Sequence, residues 1–371
     1  MKLIFLIDSL QQGGMEKQLI YLANFLNETK RFDIEILLFN KDKKNIFYTD
    51  ILDAGIKVSD FSVSKNITIP FFSFQIEAFK IARKLKKLNS KIFISFGTNS
   101  SFILVIAKLF FLKKNVKIIV SERNTDLAPL SFKRKYYLYF HRFSNTIVPN
   151  SFTQEAMITG LYPMYSEKIK VINNYVDLEF YSPKSYNFNK EQLNVVLLGR
   201  LTYQKNPMCL MKALKLIKEK TNHKISVSWF GRTQDQELFN EVSSYIKAHN
   251  LDVKFHKPQV DTLSIYHKYD LLCLPSFFEG FSNVLGESIC CGLPVIVSEQ
   301  AGDVRKMVDH QANGFLFDCY NEEALYDQFV RFIELPESEK IVMGKESRKK
   351  SEEIFSKEEY LNAYTNLILD E

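Results

Sequence analysis

Cysteine is scarce in this chain of 371 residues, and its spacing matches no metal-binding or disulfide pattern. The cysteines are odd in number and include no C-x-x-C pair: Cys209, Cys273, Cys290, Cys291 and Cys319. Since disulfide frameworks pair an even number of cysteines and zinc sites use closely spaced ones, neither is indicated. We therefore expect reduced thiols, the ordinary state of cysteine in a cytoplasmic protein.

The sequence also lacks a hydrophobic run long enough to cross a membrane. Its longest apolar stretch, Phe102–Leu112, is interrupted by Lys108 and is shorter than the ~18 residues of a span. The apolar opening Met1–Ile7 meets Asp8 too early for the hydrophobic core of a signal peptide, and is better explained as a buried strand. We expect neither a membrane span nor an export signal.

What is present is the composition of a folded, soluble protein. Hydrophobic residues make up 46% of the chain and charged residues 25%, which excludes disordered and collagen-like classes. At about 150 residues per domain, the length predicts two or three domains.

Charge is divided unevenly along the chain. Up to Pro183 there are 26 Lys and Arg against 16 Asp and Glu, a net charge of +10, whereas the remainder carries −4. The basic front half is therefore expected to meet something anionic. Its basic runs accompany no nucleic-acid recognition motif, so we expect no nucleic-acid partner.

Short β-rich runs alternate with helical patterns along the whole chain, and several runs are continuously apolar, as in parallel sheets covered on both faces. The alternation predicts βαβ units and an α/β fold. The pattern pauses once, at Leu178–Gln192, which we interpret as a linker between two doubly wound domains. The strand-like runs are Lys2–Ile7, Ile34–Phe39, Lys91–Phe96, Val116–Val120, Thr146–Pro149, Asn194–Leu198, Ile225–Phe230, Val253–His256, Asp270–Pro275 and Leu293–Ser298.

The segment from Ser276 to Glu287 is the most informative one for chemistry. It places Glu279 in a glycine-containing turn after a strand, where ligands of open α/β sheets bind and where turn amides and a helix N-terminus attract anions. Glu287, about one helical turn into the helix that follows, is placed to accept hydrogen bonds from vicinal hydroxyls. The alternative is that Glu279 caps the helix and Glu287 is a solvated helix residue, and the spacing alone favours that alternative.

The two glutamates stand in the stretch E-G-F-S-N-V-L-G-E, followed by Gly292-Leu293-Pro294-Val295-Ile296. This stretch resembles the nucleotide-sugar signature of glycosyltransferase family 4, whose members have the GT-B fold. The resemblance implies two doubly wound Rossmann-like α/β domains that face each other across a cleft. It implies an acceptor-binding domain at 1–183, a nucleotide-sugar domain at 184–352, and a terminal helix at 353–371 that returns to the first domain.

Two upstream motifs agree with this resemblance. Gly199-Arg200-Leu201, with Lys205 beyond it, resembles the diphosphate clamp of the family. Such cations would stabilise the charge that develops on a leaving nucleoside diphosphate. The alternative is that both are exposed loop cations. Gly13-Gly14-Met15-Glu16 resembles the G-G-x-E loop, in which glycine lets the backbone approach a ligand closely.

One motif departs from the commonest pattern of the family. Many members carry a histidine in the loop after the strand equivalent to Val116–Val120, whereas this chain has Ser121-Glu122-Arg123-Asn124. This loop resembles the S-E-R-N of bacterial polysaccharide and lipid-linked oligosaccharide transferases. Arg123 or Asn124 is then a candidate contact of the donor sugar or the acceptor phosphate, and the choice stays open. For His141, the nearest histidine, we expect a core or helix-surface role.

The resemblance implies a retaining glycosyltransferase that uses a nucleotide-diphosphate sugar, with UDP as the expected nucleotide and no metal or other cofactor. Glu287 would bind the ribose, Glu279 the donor sugar, and Arg200 with Lys205 the diphosphate, while Gly14 would approach from the opposite domain. The departing phosphate oxygen would take the acceptor's proton, so no protein nucleophile is required. The remaining substrate-binding candidates lie in the turn after Glu279: Gly280, Phe281, Ser282, Asn283 and Val284.

Three interpretations of the acceptor and the activity remain open. The basic front half favours a polyprenyl-diphosphate-linked glycan in surface polysaccharide or oligosaccharide synthesis, at the inner face of the plasma membrane. A soluble transferase that acts on a free sugar or sugar phosphate is the alternative, and a non-catalytic sugar-nucleotide-binding subunit is a third.

The basic runs that would meet a membrane are Lys80–Lys87, Lys113–Lys114 and Lys133–Lys135, each beside aromatic residues. A helix there could instead bury a core stripe and leave its lysines solvated. That stripe would consist of Phe74, Ala78, Ile81, Leu85 and Leu88.

Overall fold

A computed structural model describes residues 1–10, 13–39, 51, 53–60, 72–123, 130–186, 188 and 191–369. The chain forms two compact units, Met1–Tyr175 with Lys357–Glu371, and Val176–Ser356. Each unit is built on a six-stranded sheet of parallel strands, as the α/β prediction requires. No helix in these described ranges combines the length and apolar character of a membrane span.

Unit 1 has the strand order β3-β2-β1-β4-β5-β6. Its strands are β1 (Lys2–Ile7), β2 (Asp33–Leu38), β3 (Lys57–Asp60), β4 (Ile92–Phe96), β5 (Lys117–Glu122) and β6 (Thr146–Pro149). Its first helices are α1 (Gly14–Glu28), α2 (Phe72–Leu85), α3 (Thr98–Phe110), α4 (Phe132–Phe140) and α5 (Phe152–Leu161).

Unit 2 repeats the design with the strand order β12-β11-β10-β7-β8-β9. Its strands are β7 (Leu193–Leu198), β8 (Ile225–Phe230), β9 (Val253–His256), β10 (Leu271–Leu274), β11 (Val295–Ser298) and β12 (Gly314–Phe317). Its helices are α6 (Pro207–Lys220), α7 (Gln236–His249), α8 (Thr262–Lys268), α9 (Asn283–Cys290), α10 (Val304–Met307), α11 (Glu322–Glu334) and α12 (Glu337–Ile354). The last helix, α13 (Lys357–Leu369), belongs to unit 1.

The continuously apolar strands are buried on both faces. In β1, Leu3 and Phe5 pack in one apolar cluster while Ile4 and Leu6 pack in another. This division follows from the two-residue period of a strand, which sends neighbouring side chains to opposite faces of the sheet. The same alternation occurs in β7, so helices cover both sides of each sheet.

The strand order reverses once in each sheet, between β1 and β4 and between β7 and β10. At such a switch point the connections leave in opposite directions, and a crevice opens outside the carboxyl ends of the two strands. The loops that follow β7 and β10 therefore lie side by side, and so do the loops that follow β1 and β4.

All ten strand-like runs form strands, within one or two residues at each end. The two strands without a sequence prediction are β3 and β12, which are short and lie at the edges of their sheets. β3 has Val58 as its one apolar residue, and β12 has three apolar residues after Gly314, so neither carries an apolar run long enough to indicate a strand.

The chain passes from unit 1 to unit 2 after Tyr175 and returns at Lys357. The segment Leu178–Gln192, interpreted above as a linker, lies in unit 2, and so does the expected boundary at residue 183. Tyr181 in this segment is buried and its hydroxyl hydrogen-bonds Thr262 Oγ1 at 2.9 Å. Helix α13 packs its aromatic side chains into the unit 1 core beside α1.

Candidate active site

Two loops meet at the switch point of unit 2. The loop after β7 contains Gln204, whose carbonyl oxygen accepts from Phe277 N at 2.9 Å, and Phe277 lies in the loop after β10. In return, Gln204 Nε2 donates to the carbonyl oxygen of Phe278 at 2.9 Å. These reciprocal hydrogen bonds hold the Gly199–Lys205 segment against the turn that carries Glu279.

Glu279 is held in this turn by three side chains. Lys205 Nζ lies 2.5 Å from Glu279 Oε1, and Ser276 Oγ donates to the same oxygen at 2.8 Å. Gln204 Nε2 lies 3.5 Å from Glu279 Oε2. Glu279 is only 8% exposed, and a buried carboxylate is tolerated where a cation and hydroxyl donors compensate its lost hydration.

Arg200 lies on the exposed side of the same loop, where its Nη1 donates to Gln234 Oε1 at 2.9 Å. The loop depends on glycine at two places. Gly199 has φ +141°, and a Cβ on Gly231 would overlap the carbonyl oxygen of Gly199. Trp229 Nε1 donates to that same carbonyl at 2.9 Å, which fixes the backbone from which Arg200 projects.

The second glutamate of the pair is also buried. Glu287 is 7% exposed, and its Oε2 accepts from the Tyr266 hydroxyl at 3.0 Å. Burial, together with the neighbouring Glu287 carboxylate, raises the pKa of Tyr266 well above its usual value, so the hydroxyl remains a donor. Ser282, rather than Glu279, caps helix α9 by accepting from Leu285 N. The alternative of a capping Glu279 and a solvated Glu287 is therefore wrong.

The remaining residues of the turn have structural contacts. Phe281 packs against Phe355 with ring centroids 6.1 Å apart, and Val284 joins the apolar cluster below the sheet. Asn283 is the first residue of α9, directly after the capping Ser282. Gly280 lies beneath the loop after β11, where Gly302 has φ +71° and where a Cβ would overlap the Gly280 carbonyl oxygen.

Four residues of this site were missed by the sequence analysis: Gln204, Tyr266, Ser276 and Gly302. Gly302 had a signal, since it lies in the loop that follows a strand-like run ending at Ser298. Tyr266 had none, because it lies on α8, a different element whose packing brings it to Glu287.

In unit 1 the candidate Gly14 is the exposed first residue of α1, after the end of β1. Asp8 occupies the switch point beside it and accepts from Asn99 Nδ2 at 3.1 Å and from Ser100 Oγ at 2.7 Å. Glu16 lies over Gly13, and burial and then the nearby Asp8 raise the pKa of Glu16 to about 7, against an opposing hydrogen bond to its own backbone.

Arg123 is buried in unit 1, and Asn124 lies outside the described residues. Arg123 Nε donates to Ser121 Oγ at 2.7 Å and Nη1 donates to Asn174 Oδ1 at 2.5 Å. Its Nη2 donates to the Tyr364 hydroxyl, and the guanidinium lies 5.2 Å from the centroid of the Phe96 ring. Each nitrogen of the guanidinium therefore donates to one side chain of unit 1, and a contact with substrate stays a prediction.

The neighbouring Glu122 is fully buried in a charged cluster. Its carboxylate lies 2.9 Å from Arg134 Nη2 and 2.7 Å from His141 Nε2, and it accepts from Thr98 Oγ1 at 3.0 Å. Burial alone would raise the pKa of Glu122, but Arg134 and His141 outweigh it and lower the pKa to about 2. The expectation of a core role for His141 is thus confirmed by its complete burial.

With this geometry in place, comparison with known proteins is informative. Residues 181–350 match the family model described as glycosyl transferases group 1. A Campylobacter jejuni N-acetyl-D-galactosaminyltransferase, named for GalNAc-α-(1→4)-GalNAc-α-(1→3)-diNAcBac-PP-undecaprenol, is 26% identical over 88% of this chain and 87% of its own. A second from the same organism, a 4-α-N-acetylgalactosaminyltransferase named for an N,N'-diacetylbacillosaminyl-diphospho-undecaprenol substrate, is 24% identical over 90% of each chain.

The fold has solved counterparts as well. Anabaena HepE, solved in complex with UDP, covers 100% of both chains with a TM-score of 0.81 at 18% sequence identity. The resemblance to family 4 glycosyltransferases that the motifs indicated is confirmed by these matches. This chain is a glycosyltransferase with the GT-B fold, and its residues 181–350 are similar to the glycosyl transferases group 1 family.

Proposed function

We propose that this glycosyltransferase is a retaining, metal-independent enzyme that transfers a sugar from a UDP-sugar to a polyprenyl-diphosphate-linked glycan. The observation that carries the proposal is the 2.5 Å pair of Lys205 and Glu279 at the switch point of unit 2. A cation and a carboxylate in contact at this crevice suit a ligand with a diphosphate and a polyol beside each other. A nucleotide-diphosphate sugar has this arrangement.

The donor would be held by four charged side chains of unit 2. Glu287, oriented by Tyr266, would accept hydrogen bonds from the ribose hydroxyls. Glu279 would bind the hydroxyls of the sugar, and Lys205 would exchange part of its contact with Glu279 for diphosphate oxygens. Arg200 is exposed on the same loop, so its planar fork is available to a second phosphate oxygen.

The reaction would proceed on one face of the sugar. The bond from the anomeric carbon to the diphosphate breaks, and negative charge develops on the departing oxygen. Fixed cations aimed at that charge lower the barrier, since they are in place before the reaction begins. The departing oxygen takes the proton of the acceptor hydroxyl, which bonds to the anomeric carbon from the same face, so configuration is retained.

Two observations support a lipid-linked acceptor and an N-acetylhexosamine or hexose donor. Both Campylobacter relatives, which match over about nine-tenths of their length, are named as N-acetylgalactosaminyltransferases with undecaprenol-linked substrates. The net charge of +10 up to Pro183 suits a diphosphate-bearing acceptor at an anionic leaflet. The enzyme would then act in surface polysaccharide or oligosaccharide synthesis, in the cytoplasm at the inner face of the plasma membrane.

The experiment is a transfer assay with radiolabelled UDP-sugars and two acceptors, a short-chain polyprenyl-diphosphate glycan and a free sugar phosphate. We expect product from the first acceptor only. NMR of that product should show that the transferred sugar keeps the α configuration that it had in the donor. Product from the sugar phosphate alone would identify the soluble-acceptor enzyme instead. An inverted anomer would contradict the proposed one-face reaction.

A further inference from the structure

Helices α2 and α3 expose a group of large apolar side chains on the surface of unit 1. Phe110 is 62% exposed, Ile76 53%, Phe79 46% and Leu109 38%. The Phe79 ring contacts Phe110 at a centroid distance of 5.6 Å, which joins the two helices into one apolar surface. We name this group, Ile76, Phe79, Leu109 and Phe110, the α2–α3 patch.

The opposite side of α2 is fixed in the core. Ile81 is 4% exposed and Leu85 is fully buried, as the core-stripe interpretation of this helix requires, while the side chains of Phe74 and Ala78 lie outside the described ones. Ile76 and Phe79 therefore lie on the outward face of a helix whose inward face is already occupied. They are available for a partner.

The surroundings of the patch are rich in positive charge, with Glu77 as the acidic residue of α2. Between Glu77 and Glu122 the sequence has ten Lys or Arg residues and no Asp or Glu. Lys80 and Arg83 follow Ile76 at helical spacing and continue its exposed face, and Lys113 and Lys114 are exposed just beyond Phe110. Apolar side chains with cations at their edge suit an interface between hydrocarbon and anionic headgroups.

We infer that the α2–α3 patch is the surface by which this enzyme docks on an anionic lipid bilayer. Phe110 and Ile76 would enter the boundary between headgroups and acyl chains, and the basic residues would meet the headgroups. This inference rests on the proposed function in one respect only, that a lipid-linked acceptor requires the enzyme at a bilayer.

Charge and shape argue against two other occupants. A second copy of the chain would bring the exposed cations Lys80, Lys113 and Lys114 against their own copies, and like charges would repel. A single-stranded nucleic acid would match the charge and its bases could stack on Phe110, but it would leave the exposed aliphatic Ile76 and Leu109 without an apolar partner. A bilayer satisfies both the apolar residues and the cations.

The test is cosedimentation with vesicles of phosphatidylcholine mixed with phosphatidylglycerol, and with vesicles of phosphatidylcholine alone. Wild-type enzyme should bind the mixed vesicles, less so in high salt. The Ile76→Ser/Phe110→Ser pair should lose binding at all salt concentrations. The affinity of the Lys80→Glu/Lys113→Glu pair for the mixed vesicles should fall about fivefold or more for each reversed charge. Its binding should also depend less on salt.

Matched controls come from exposed residues of unit 2. Val342→Ser removes an equally exposed apolar side chain, and Lys247→Glu/Lys345→Glu reverses two exposed lysines. These variants should bind vesicles like wild type. Thermal melting of all variants shows whether each is folded.

The inference is overturned if wild type ignores the mixed vesicles at low salt, or if patch and control variants bind equally. If the molecular mass in solution rises with protein concentration in wild type but not in Ile76→Ser/Phe110→Ser, the patch binds a second copy of the chain instead. Transfer to a water-soluble short-chain acceptor should be unchanged in the patch variants. Absence of that activity in wild type would contradict the proposed function and leave the vesicle result standing.

Discussion

Lys205 Nζ and Glu279 Oε1 lie 2.5 Å apart although the two residues come from loops on different strands. Each therefore holds the other in place in the absence of a ligand, and a donor would find both groups already positioned. Preorganisation of this kind is the main way in which fixed charges accelerate a reaction.

The pair predicts coupled effects of substitution. Lys205→Ala should lower kcat by ~100-fold or more, the usual loss when one preorganised charge is removed. Glu279→Ala should also slow turnover, and the double variant should lose less than the two losses combined, because each single change already breaks the shared contact. The control is Lys212→Ala, which breaks a surface ion pair in which Lys212 Nζ lies 3.4 Å from Glu322 Oε1. It should keep the wild-type kcat. Fully additive losses would contradict the pairing.

Glu287 is predicted to act on donor affinity. Glu287→Ala should raise the Kd for the UDP-sugar about tenfold or more, since a charged hydrogen bond contributes ~1.5–3 kcal/mol. Tyr266→Phe should raise it less, because the carboxylate stays but loses the hydroxyl that orients it. Tyr181→Phe, which removes a hydroxyl bonded to Thr262, is the control, and calorimetric titration is the measurement. Unchanged affinity in Glu287→Ala would exclude a ribose contact.

Arg123 is predicted to hold helix α13. Tyr364→Phe removes one acceptor of its guanidinium and should lower the free energy of unfolding by ~1.5–3 kcal/mol. Hydrogen exchange should rise mainly in residues 357–369, because the helix loses its tie to β5. Asn366→Ala, an exposed position on the same helix, should leave exchange unchanged. Equal exchange in Tyr364→Phe and wild type would show that packing alone holds the helix.

Glu122 predicts how stability depends on acid. Its pKa is about 4.5 in the unfolded chain and about 2 in the fold, so the folded state binds fewer protons between these values. The stabilisation is complete above about pH 4.5 and is lost as the pH falls towards 2. Glu122→Gln should lower the free energy of unfolding at neutral pH by ~3–5 kcal/mol, because the buried Arg134 loses the negative charge of Glu122. In denaturant titrations at a series of pH values, the free energy of unfolding of Glu122→Gln should fall less steeply than that of wild type as the pH decreases. Glu167→Gln, at an exposed site, should match wild type.

The cationic clamp predicts activity without a metal. Arg200 and Lys205 would neutralise the diphosphate, so transfer should persist after dialysis against EDTA. Loss of activity that returns with magnesium or manganese would contradict the clamp. Magnesium added to the untreated enzyme serves as the control and should change the rate little.

The sequence was sufficient for most of the fold because parallel strands buried on both faces leave continuous apolar runs. Lys2–Ile7 and Ile225–Phe230 were placed to the residue. The edge strands β3 and β12 were missed because β3 has one apolar residue, Val58, and β12 has only the short apolar run Phe315–Phe317. Leu178–Gln192 was interpreted as a linker because it has no period, yet Tyr181 packs in unit 2 through contacts with residues far along the chain.

The sequence by itself determined which residue types follow the strands, and therefore which functional groups are available for binding and catalysis. Lys205 follows β7 and Glu279 follows β10. Only the tertiary structure decided what each of them touches. The strand order makes β7 and β10 neighbours and so brings Lys205 to Glu279, and the packing of α8 brings Tyr266 to Glu287. In unit 1, the packing of α13 makes Arg123, which the sequence placed in a loop, a buried contact of Tyr364. Periodicity reports on neighbours along the chain, whereas these contacts join distant residues that come together only when the sheet and its helices have packed.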